Sequence, residues 1–360
     1  MQTFEQATQT GNLIIHKTKT SRLADVDMDN IPFGRVFSDH MLLVYYRNGK
    51  WQSPEIRPYG KLDLAPSVSS LNYGQSIFEG MKAHRDPMGR PILYRPRENW
   101  KRMNHSAARM CMPQLPEALF MDGLKALVQM DQDWIPPVSK GALYIRPLMF
   151  ATDEYIGVRP SEEYLFTIFT GPAGTYYSEP VSLLASKDYV RAAIGGTGSA
   201  KTAGNYASGM LPDKIAKSQG YHNVLWLDGR EHRYVEECGT MNMFFVIEDK
   251  VITPPLSGTI LPGITRDSVI RLLRDNGYPI EVRPVSIQEI ESAHEQGYLQ
   301  EAFGAGTAAT IAHIARIGYG GRDMVLPPVD DRPISNWLNE TLFDIRVGNV
   351  KDPYGWVEAV

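Results

Sequence analysis

Apolar positions along the chain recur with both strand and helix periodicity, and neither period continues for long. Short runs rich in β-branched and aromatic residues, bounded by turn residues, predict strands. The predicted strands are 42–47, 91–95, 143–150, 164–170, 181–185, 190–194 and 224–227. Asp228-Gly229 predicts a two-residue hairpin turn after 224–227, and Glu248-Asp249-Lys250 predicts a second hairpin between 243–247 and 251–253.

Helical spacing of apolar residues predicts fewer helices than strands. The predicted helices are 98–111, 116–130, one that ends at Gly220, and one that starts near Pro262 and stops at Asn276-Gly277. One face of the first helix is apolar and consists of Trp100, Met103, Ala107, Met110 and Cys111. Arg102 falls outside this face.

Mixed strands and helices, without an internal repeat, predict a mixed α/β fold. A chain of 360 residues fits two domains at roughly 150 residues each. The glycine- and proline-containing stretch at 171–175 is the clearest break between them. We therefore predict a small N-terminal α/β domain over 1–170, a linker over 171–180 and a large C-terminal α/β domain over 181–360.

Composition excludes several classes of function. The 37 basic and 41 acidic residues give a net charge of −4 and form no long block, which argues against a nucleic-acid partner. Two cysteines without a CxxC pair fit a reducing compartment, and each is expected to be a small buried hydrophobe. The first 20 residues do not resemble a secretory signal, and no apolar stretch approaches the roughly 20 residues of a membrane helix. We therefore expect a cytoplasmic protein without a membrane partner.

The glycine-rich segment at 194–206 contains the first candidate for a binding or catalytic site. Gly195 to Thr202 matches the phosphate-binding pattern GxxxxGK[ST] except at Ala200, where that pattern has glycine. The Cβ of Ala200 would stand where the backbone must wrap a phosphate, and Gly204-Asn205 interrupts the helix that should follow. A nucleotide hydrolase is therefore disfavoured.

The second interpretation of this segment makes Lys201 a covalent amine. A long flexible side chain with a shiftable pKa suits Schiff-base chemistry with a carbonyl such as that of pyridoxal phosphate. A solvated loop lysine is the alternative for this residue taken alone. The interpretation therefore depends on whether the chain supplies the rest of a cofactor site.

Three further segments could supply it. The sequence LPGITR at 261–266 leads into a predicted helix, whose first amides would bind an anion. Either carboxylate of Glu236-Glu237 could keep a pyridinium nitrogen protonated, and spacing does not choose between them. Small residues at 303–309 would let the backbone approach a ligand, with Thr307 as a hydroxyl donor. Helix capping, solvation and tight packing are the respective alternatives.

Together these segments resemble the branched-chain amino acid aminotransferases, which are fold-type IV pyridoxal phosphate enzymes. The resemblance covers nearly the whole chain through the motifs at 33–41 (FGRVFSDHM), 76–83 (SIFEGMKA), 237–242 (ECGTMN) and 261–266 (LPGITR). It implies the fold-type IV architecture, with the active site between the two domains and the cofactor lysine in the C-terminal one. It also implies a homodimer.

The resemblance implies a role for each member of the cofactor site. Lys201 would form the Schiff base and carry the proton, and Tyr206 would donate to the ring O3′. Glu237, rather than Glu236, would face the pyridine nitrogen. The phosphate would be bound by Arg102, Ile264, Thr265 and Thr307.

For the substrate, the resemblance implies an aliphatic pocket lined mainly by aromatic side chains. Its members would be Phe37, Tyr73, Phe78, Tyr144, Tyr176 and Thr240. Ala308 would meet the α-carboxylate, and Tyr73 and Tyr144 could cross a dimer interface. Tyr144 and Arg146 lie two apart on a strand and share a face, where Arg146 would accept the second carboxylate of glutamate. Ordinary aromatic packing is the alternative for each pocket residue.

The predicted function is reversible transfer of the amino group of L-leucine, L-isoleucine or L-valine to 2-oxoglutarate. The products would be the branched 2-oxo acid and L-glutamate, in a ping-pong mechanism. A D-amino acid aminotransferase or an aminodeoxychorismate lyase is the alternative. The chain has no His pair at metal-ligand spacing, no GxSxG elbow and, at 309–314, no redox-active CxxC of the kind some relatives carry.

Overall fold

The computed structural model describes residues 8–10, 12–174, 176–177 and 179–360. Residues 1–7 and 11 of the N-terminal segment, and Thr175 and Ser178 of the predicted linker, lie outside the described residues. No helix in the described ranges is long and apolar enough to cross a membrane.

Within these residues the chain forms twenty β-strands and eight α-helices. The strands are β1 (Thr8–Thr10), β2 (Leu13–Ile15), β3 (His40–Arg47), β4 (Lys50–Trp51), β5 (Glu55–Pro58), β6 (Ser76–Phe78), β7 (Met81–Arg85), β8 (Pro91–Tyr94), β9 (Ala142–Ala151), β10 (Tyr164–Ala173), β11 (Val181–Ala185), β12 (Asn223–Leu227), β13 (Val235–Cys238), β14 (Met241–Ile247), β15 (Lys250–Thr253), β16 (Ile280–Val282), β17 (Leu299–Gly306), β18 (Thr310–Tyr319), β19 (Arg322–Val325) and β20 (Val357–Ala359). The helices are α1 (Ser69–Tyr73), α2 (Pro96–Arg109), α3 (Glu117–Met130), α4 (Ala203–Ala207), α5 (Met210–Ser218), α6 (Ile264–Asp275), α7 (Ile287–Glu295) and α8 (Pro333–Arg346).

The chain divides into two compact units. The first contains the described residues up to Tyr176 together with Lys201–Ala203 and Asp344–Val360, and the second contains Tyr177–Ala200 and Gly204–Phe343. The predicted boundaries differ in that they placed Lys201 and the C-terminal segment in the second domain. Lys201 groups with the first unit because its carbonyl accepts a hydrogen bond from Phe78 N at 3.1 Å. The C-terminal segment does so because β20 pairs with β8.

The first unit is built on an 11-stranded sheet. Its order is β1-β2-β5-β3-β10-β9-β7-β8-β20, with β4 beside β3 and β6 beside β9. One face packs against α2 and α3 in a core that includes Leu42, Ile145 and Phe166. Because successive side chains of a strand point to opposite faces, Tyr144 and Arg146 of β9 lie on the other face.

The second unit contains a nine-stranded sheet in the order β13-β12-β11-β18-β17-β14-β15-β16, with β19 beside β18. β13 also pairs with β14, so six of these strands close into a ring. Leu225, Phe245 and Ile314 are among the side chains of its core. Glu237 and Asn242 are cross-strand partners where the ring closes.

Six of the seven predicted strands are confirmed, with ends that shift by a few residues. The strand predicted at 190–194 is wrong, because this segment is irregular backbone. Ile194 is 80% exposed, and the Arg191 guanidinium turns inward to donate to Gly198 O at 2.9 Å. The predicted linker starts at 171, whereas β10 continues to Ala173.

The first predicted hairpin turn is wrong and the second is confirmed in shorter form. β12 and β13 are joined by a longer loop, in which the Asp228 carboxylate accepts hydrogen bonds from the backbone N–H groups of 230, 231, 233 and 234. β14 and β15 are joined by Glu248-Asp249 alone, both in the left-handed conformation that a tight hairpin requires. Lys250 already belongs to the strand.

All four predicted helices are confirmed, with corrected boundaries. Met103 and Ala107 of α2 are fully buried as predicted, but Arg102 is buried as well. Cys111 lies beyond the end of α2 with φ 54° and is exposed, so its predicted burial is wrong. Cys238 is buried as predicted, and its burial raises the pKa of the thiol.

Candidate active site

Helix α2 and strand β6 fix the backbone of Lys201 in the first unit. Lys201 N donates to Ser106 Oγ at 2.9 Å, and Phe78 N donates to Lys201 O at 3.1 Å. Ser106 Oγ in turn donates to Arg102 O, one helical turn earlier. Since residues four apart share a helix face, α2 holds the Arg102 side chain on the same side as the Lys201 backbone.

The Arg102 guanidinium forms a buried, bidentate ion pair with Glu79. Nε and Nη2 each lie 2.7 Å from a carboxylate oxygen of Glu79, which is fully buried. Asn99 Nδ2 adds a third donor to Glu79 at 2.8 Å. This ion pair orients the Arg102 guanidinium. The phosphate contact predicted for Arg102 stays a prediction.

The amine of Lys201 lies beside an aromatic ring that also packs against a guanidinium. Lys201 Nζ lies 4.8 Å from the centroid of the Phe78 ring, and the Arg146 guanidinium lies 4.6 Å from the same ring. Arg146 Nη2 donates to the Tyr144 hydroxyl at 2.9 Å. The structure therefore brings together Lys201, Phe78, Tyr144 and Arg146, and the roles predicted for them stay predictions.

The other predicted pocket residues of this unit extend the aromatic surface to different degrees. Phe37 stacks on Tyr59 and packs edge-on against Phe169, which is the cross-strand partner of Arg146. Tyr176 reaches Tyr144 through Phe33, whose ring packs against both. Tyr73, at the end of α1, is 44% exposed.

In the second unit, Glu237 is a buried carboxylate held by Leu261 and Arg191. Glu237 Oε1 accepts from Leu261 N at 2.6 Å and lies 3.2 Å from Arg191 Nη2. Arg191 Nη2 also donates to the carbonyls of Gly198 and Thr259. Neighbouring Glu236 has a different environment, in which the Thr259 hydroxyl donates to its Oε1. Burial raises the pKa of Glu236 to about 7, although Thr259 and the Arg191 charge oppose the shift.

The loop after Leu261 leads into α6, as the sequence predicted. Asn242 Nδ2 donates to Leu261 O at 3.0 Å, so Glu237 and Asn242 together hold the N–H and the carbonyl of one residue. Gly263 occupies the N-cap position of the helix. A Cβ on Gly263 would overlap Asn242 Oδ1, which explains the need for glycine here. Ile264 and Thr265 provide the first two amides of the helix.

Tyr206 lies half-buried in α4, directly after Asn205. The Asn205 amide holds the preceding loop by donating to Thr197 O and Ala200 O at 2.8 and 2.9 Å. Thr240 is exposed in the turn between β13 and β14, and Thr307 and Ala308 are half-buried after β17.

The glycines before Thr307 have a packing role, which was the alternative to the ligand approach predicted for 303–309. A Cβ on Gly304 would lie 3.0 Å from Cys238 Sγ, and one on Gly306 would lie 3.1 Å from Met241 Cγ. These glycines therefore make room for buried sulfur-containing side chains. The ligand approach predicted for this segment stays a prediction.

Sequence reasoning missed the residues that position the predicted ones. Glu79, Ser106, Arg191, Asn205 and Asn242 are the residues of this kind. Glu79, Asn205 and Asn242 lie within the segments 76–83, 194–206 and 237–242 quoted above, and this position was the sequence signal that could have found them. Glu79, Ser106 and Asn242 act on partners distant in sequence, so local spacing could not assign their roles.

Comparison with known proteins identifies the family. Residues 76–317, more than half of the chain, match the family described as amino-transferase class IV. The chain belongs to the class IV aminotransferases. This class IV aminotransferase is 42% identical over 355 residues to branched-chain-amino-acid transaminase 1 of Bacillus subtilis strain 168, covering 97% of this chain and 100% of that one.

Solved structures agree with this assignment. The branched-chain aminotransferase of Thermoproteus uzoniensis with norvaline has a TM-score of 0.74 and 26% identity, covering 89% of this class IV aminotransferase and 99% of its own chain. The branched-chain amino acid aminotransferase of T.th., complexed with N-(5'-phosphopyridoxyl)-L-glutamate, has a TM-score of 0.70 and 27% identity, covering 88% and 97%. The family and the fold-type IV architecture predicted from the motifs are confirmed.

Proposed function

We propose that this class IV aminotransferase is a branched-chain amino acid aminotransferase that uses pyridoxal phosphate. It would transfer the amino group of L-leucine, L-isoleucine or L-valine to 2-oxoglutarate, reversibly. The observation that carries this proposal is the similarity over nearly the whole chain to a relative of that name.

The residues present fit pyridoxal phosphate. The first unit provides a lysine whose backbone is fixed by Ser106 and Phe78. The second unit provides a buried carboxylate, Glu237, and the N-terminus of α6 after Gly263, where the helix dipole suits a phosphate. When bound, the cofactor supplies an aldehyde that joins to an amine and a ring that accepts electrons.

Lys201 would hold the cofactor covalently and then act as the proton carrier. Its amine, once released by the incoming amino acid, would take the proton from the substrate α-carbon. Lys201 Nζ lies 4.8 Å from the centroid of the Phe78 ring, so this ring stands beside the amine proposed to carry the proton. Glu237, oriented by Leu261 and Arg191, would face the ring nitrogen, and Tyr206 would donate to the ring oxygen.

Two chemically different substrates require one pocket with both apolar and cationic surfaces. The rings of Phe78 and Tyr144 offer apolar area to a branched aliphatic side chain. Arg146, held between these rings, offers a guanidinium to the second carboxylate of 2-oxoglutarate or glutamate. Thr240, Thr307 and Ala308 are proposed to complete the pocket. The homodimer implied by the resemblance and the cytoplasmic location expected from the composition stay predictions.

The test is an absorbance spectrum of the purified protein loaded with pyridoxal phosphate, recorded before and after L-leucine and then 2-oxoglutarate. We expect a visible band that L-leucine removes and 2-oxoglutarate restores, with release of the branched 2-oxo acid. Lys201→Ala should abolish multiple turnover, whereas Lys214→Ala, which changes an exposed lysine of α5, should not.

Other results would refute parts of the proposal. Multiple turnover by Lys201→Ala would refute the role of this lysine. A band that ignores L-leucine but responds to D-alanine or an aryl substrate would support a D-amino acid aminotransferase or an aminodeoxychorismate lyase instead.

A further inference from the structure

Helix α2 has a buried polar face whose side chains bind either Glu79 or Lys201. Asn99 and Arg102 donate to the Glu79 carboxylate. Ser106 accepts a hydrogen bond from the backbone N–H of Lys201. The three helix residues are three and four positions apart, so they share one face, and all three are buried. Because burying a polar group costs free energy unless it is hydrogen-bonded, this face is built around these contacts.

The Ser106 hydroxyl makes two hydrogen bonds with different roles. A hydroxyl has one hydrogen to donate and two lone pairs that accept. Ser106 Oγ lies 3.0 Å from Arg102 O and 2.9 Å from Lys201 N. Since the N–H is the donor in the second bond, the hydroxyl hydrogen belongs to the first. The helix carbonyl thereby orients the lone pair that holds Lys201.

The backbone of Lys201 is held on both sides of its α-carbon. Ser106 holds the N–H, and Phe78 N donates to the carbonyl at 3.1 Å. The next residue, Thr202, forms an antiparallel β-bridge with Ile77. Because the backbone has two soft dihedrals at each residue, fixing both sides of Lys201 sets the direction in which its side chain leaves the backbone. The contacts from β6 use backbone atoms, whereas the Ser106 contact requires a side-chain acceptor.

We propose that Ser106 is a positioning residue for Lys201, and that it holds this lysine where its amine meets the cofactor aldehyde. The inference rests on the proposed function. In the joining step, the Lys201 nitrogen bonds to the aldehyde carbon, and the two hydrogens of the neutral amine leave with the aldehyde oxygen as water. Such a step depends on holding the two reacting groups in the right geometry. Since the lysine side chain is long and flexible, its backbone has to supply that restraint.

The first experiment compares two forms of the cofactor on the apoenzyme. Pyridoxal phosphate can join to Lys201, whereas pyridoxamine phosphate has an amine in place of the aldehyde and cannot. Loss of one hydrogen bond changes an equilibrium about three- to tenfold, so we expect Ser106→Ala to weaken binding of pyridoxal phosphate by about this factor. Binding of pyridoxamine phosphate should change less than about twofold, because its phosphate and ring contacts persist. Equal weakening of both forms would overturn the proposal.

Amide hydrogen exchange of the apoenzyme gives a readout that needs no cofactor. Because Lys201 N donates to Ser106 Oγ, Ser106→Ala should speed exchange at the Lys201 amide about three- to tenfold. The amides of β9 should exchange at an unchanged rate, which checks that the first unit stays folded. A Lys201 amide that is unprotected in the unaltered apoenzyme would overturn the proposal without any variant having to fold.

A matched control separates this position from the general loss of a buried hydroxyl. Ser182 is buried in β11 of the second unit, where its Oγ lies 2.7 Å from His222 Nδ1. Ser182→Ala should change neither the binding of pyridoxal phosphate nor the exchange at Lys201.

The same measurements distinguish failure of this inference from failure of the proposed function. If the unaltered enzyme forms no visible band with pyridoxal phosphate, the proposed function is wrong and the role of Ser106 is wrong with it. If the unaltered enzyme forms the band and Ser106→Ala binds pyridoxal phosphate equally well, the role of Ser106 alone is overturned.

Discussion

The buried pair of Glu79 and Arg102 gives a quantitative prediction for the stability of the first unit. We expect Glu79→Leu to destabilise the apoenzyme strongly, because the Arg102 guanidinium, 8% exposed, would lose its bidentate carboxylate. Arg102→Leu should be similarly harmful, because the Glu79 carboxylate is fully buried.

The expected magnitudes follow from the geometry of the pair. Breaking a buried ion pair by removing one partner costs about 3–5 kcal/mol, whereas replacing both partners with apolar residues is often close to neutral. Asn99 Nδ2 also donates to Glu79, and its lost hydrogen bond adds about 1 kcal/mol to every variant without the carboxylate. The double variant should therefore lose about 1–2 kcal/mol, less than either single variant.

The assay is urea unfolding of the four apoenzymes, which avoids the stabilisation that a bound cofactor adds. Because the chain has two units, the comparison uses one transition assigned to the first unit by a local probe. Additive losses, with the double variant as unstable as the sum of the single variants, would show that the pair is not coupled.

Three further changes have expected outcomes. Glu237→Gln should lower kcat roughly a hundredfold while the cofactor absorbance persists, because the charge proposed to face the ring nitrogen is lost. For Glu236, the folded state binds more protons than the unfolded state between pH 4.5 and about 7, so the wild type loses stability as pH rises. Glu236→Gln lacks this loss and should gain about 2 kcal/mol relative to the wild type between pH 5 and pH 8, after allowance for solvent screening. Gly263→Ala should cost about 1–3 kcal/mol, because its Cβ would displace the Asn242 amide.

Steady-state kinetics check the first of these, and thermal or urea unfolding checks the other two. Full activity of Glu237→Gln would remove the proposed role of that carboxylate. A stability difference for Glu236→Gln that is the same at both pH values would show that Glu236 does not titrate as described. An unchanged midpoint for Gly263→Ala would mean that Asn242 adjusts without loss.

Of the seven strands and four helices predicted from local sequence signals, six strands and all four helices are confirmed. β11 was predicted at its observed bounds because its apolar run is short and clearly bounded. The strand predicted at 190–194 failed because composition cannot show that Arg191 buries its side chain against distant carbonyls. The Asp228-Gly229 turn failed because the carboxylate organises a longer loop through four backbone donors.

Site residues that belong to a sequence motif could be predicted. Residues that act through contacts with distant parts of the chain could not. Lys201 and its glycine-rich surroundings indicated the cofactor only in combination with the other motifs of the chain. Ser106, which fixes its backbone, lies 95 residues away in sequence. Glu79 is part of a quoted motif, yet only the fold shows that its partner is the Arg102 guanidinium.

The two cysteines differ in accessibility, and this makes the enzyme its own unfolding reporter. Cys111 is exposed after α2, whereas Cys238 is buried in β13, where burial also disfavours its thiolate. A maleimide dye should therefore attach once per folded chain and twice per unfolded chain. The number of dyes per chain then counts unfolded molecules, without a tag or an engineered label.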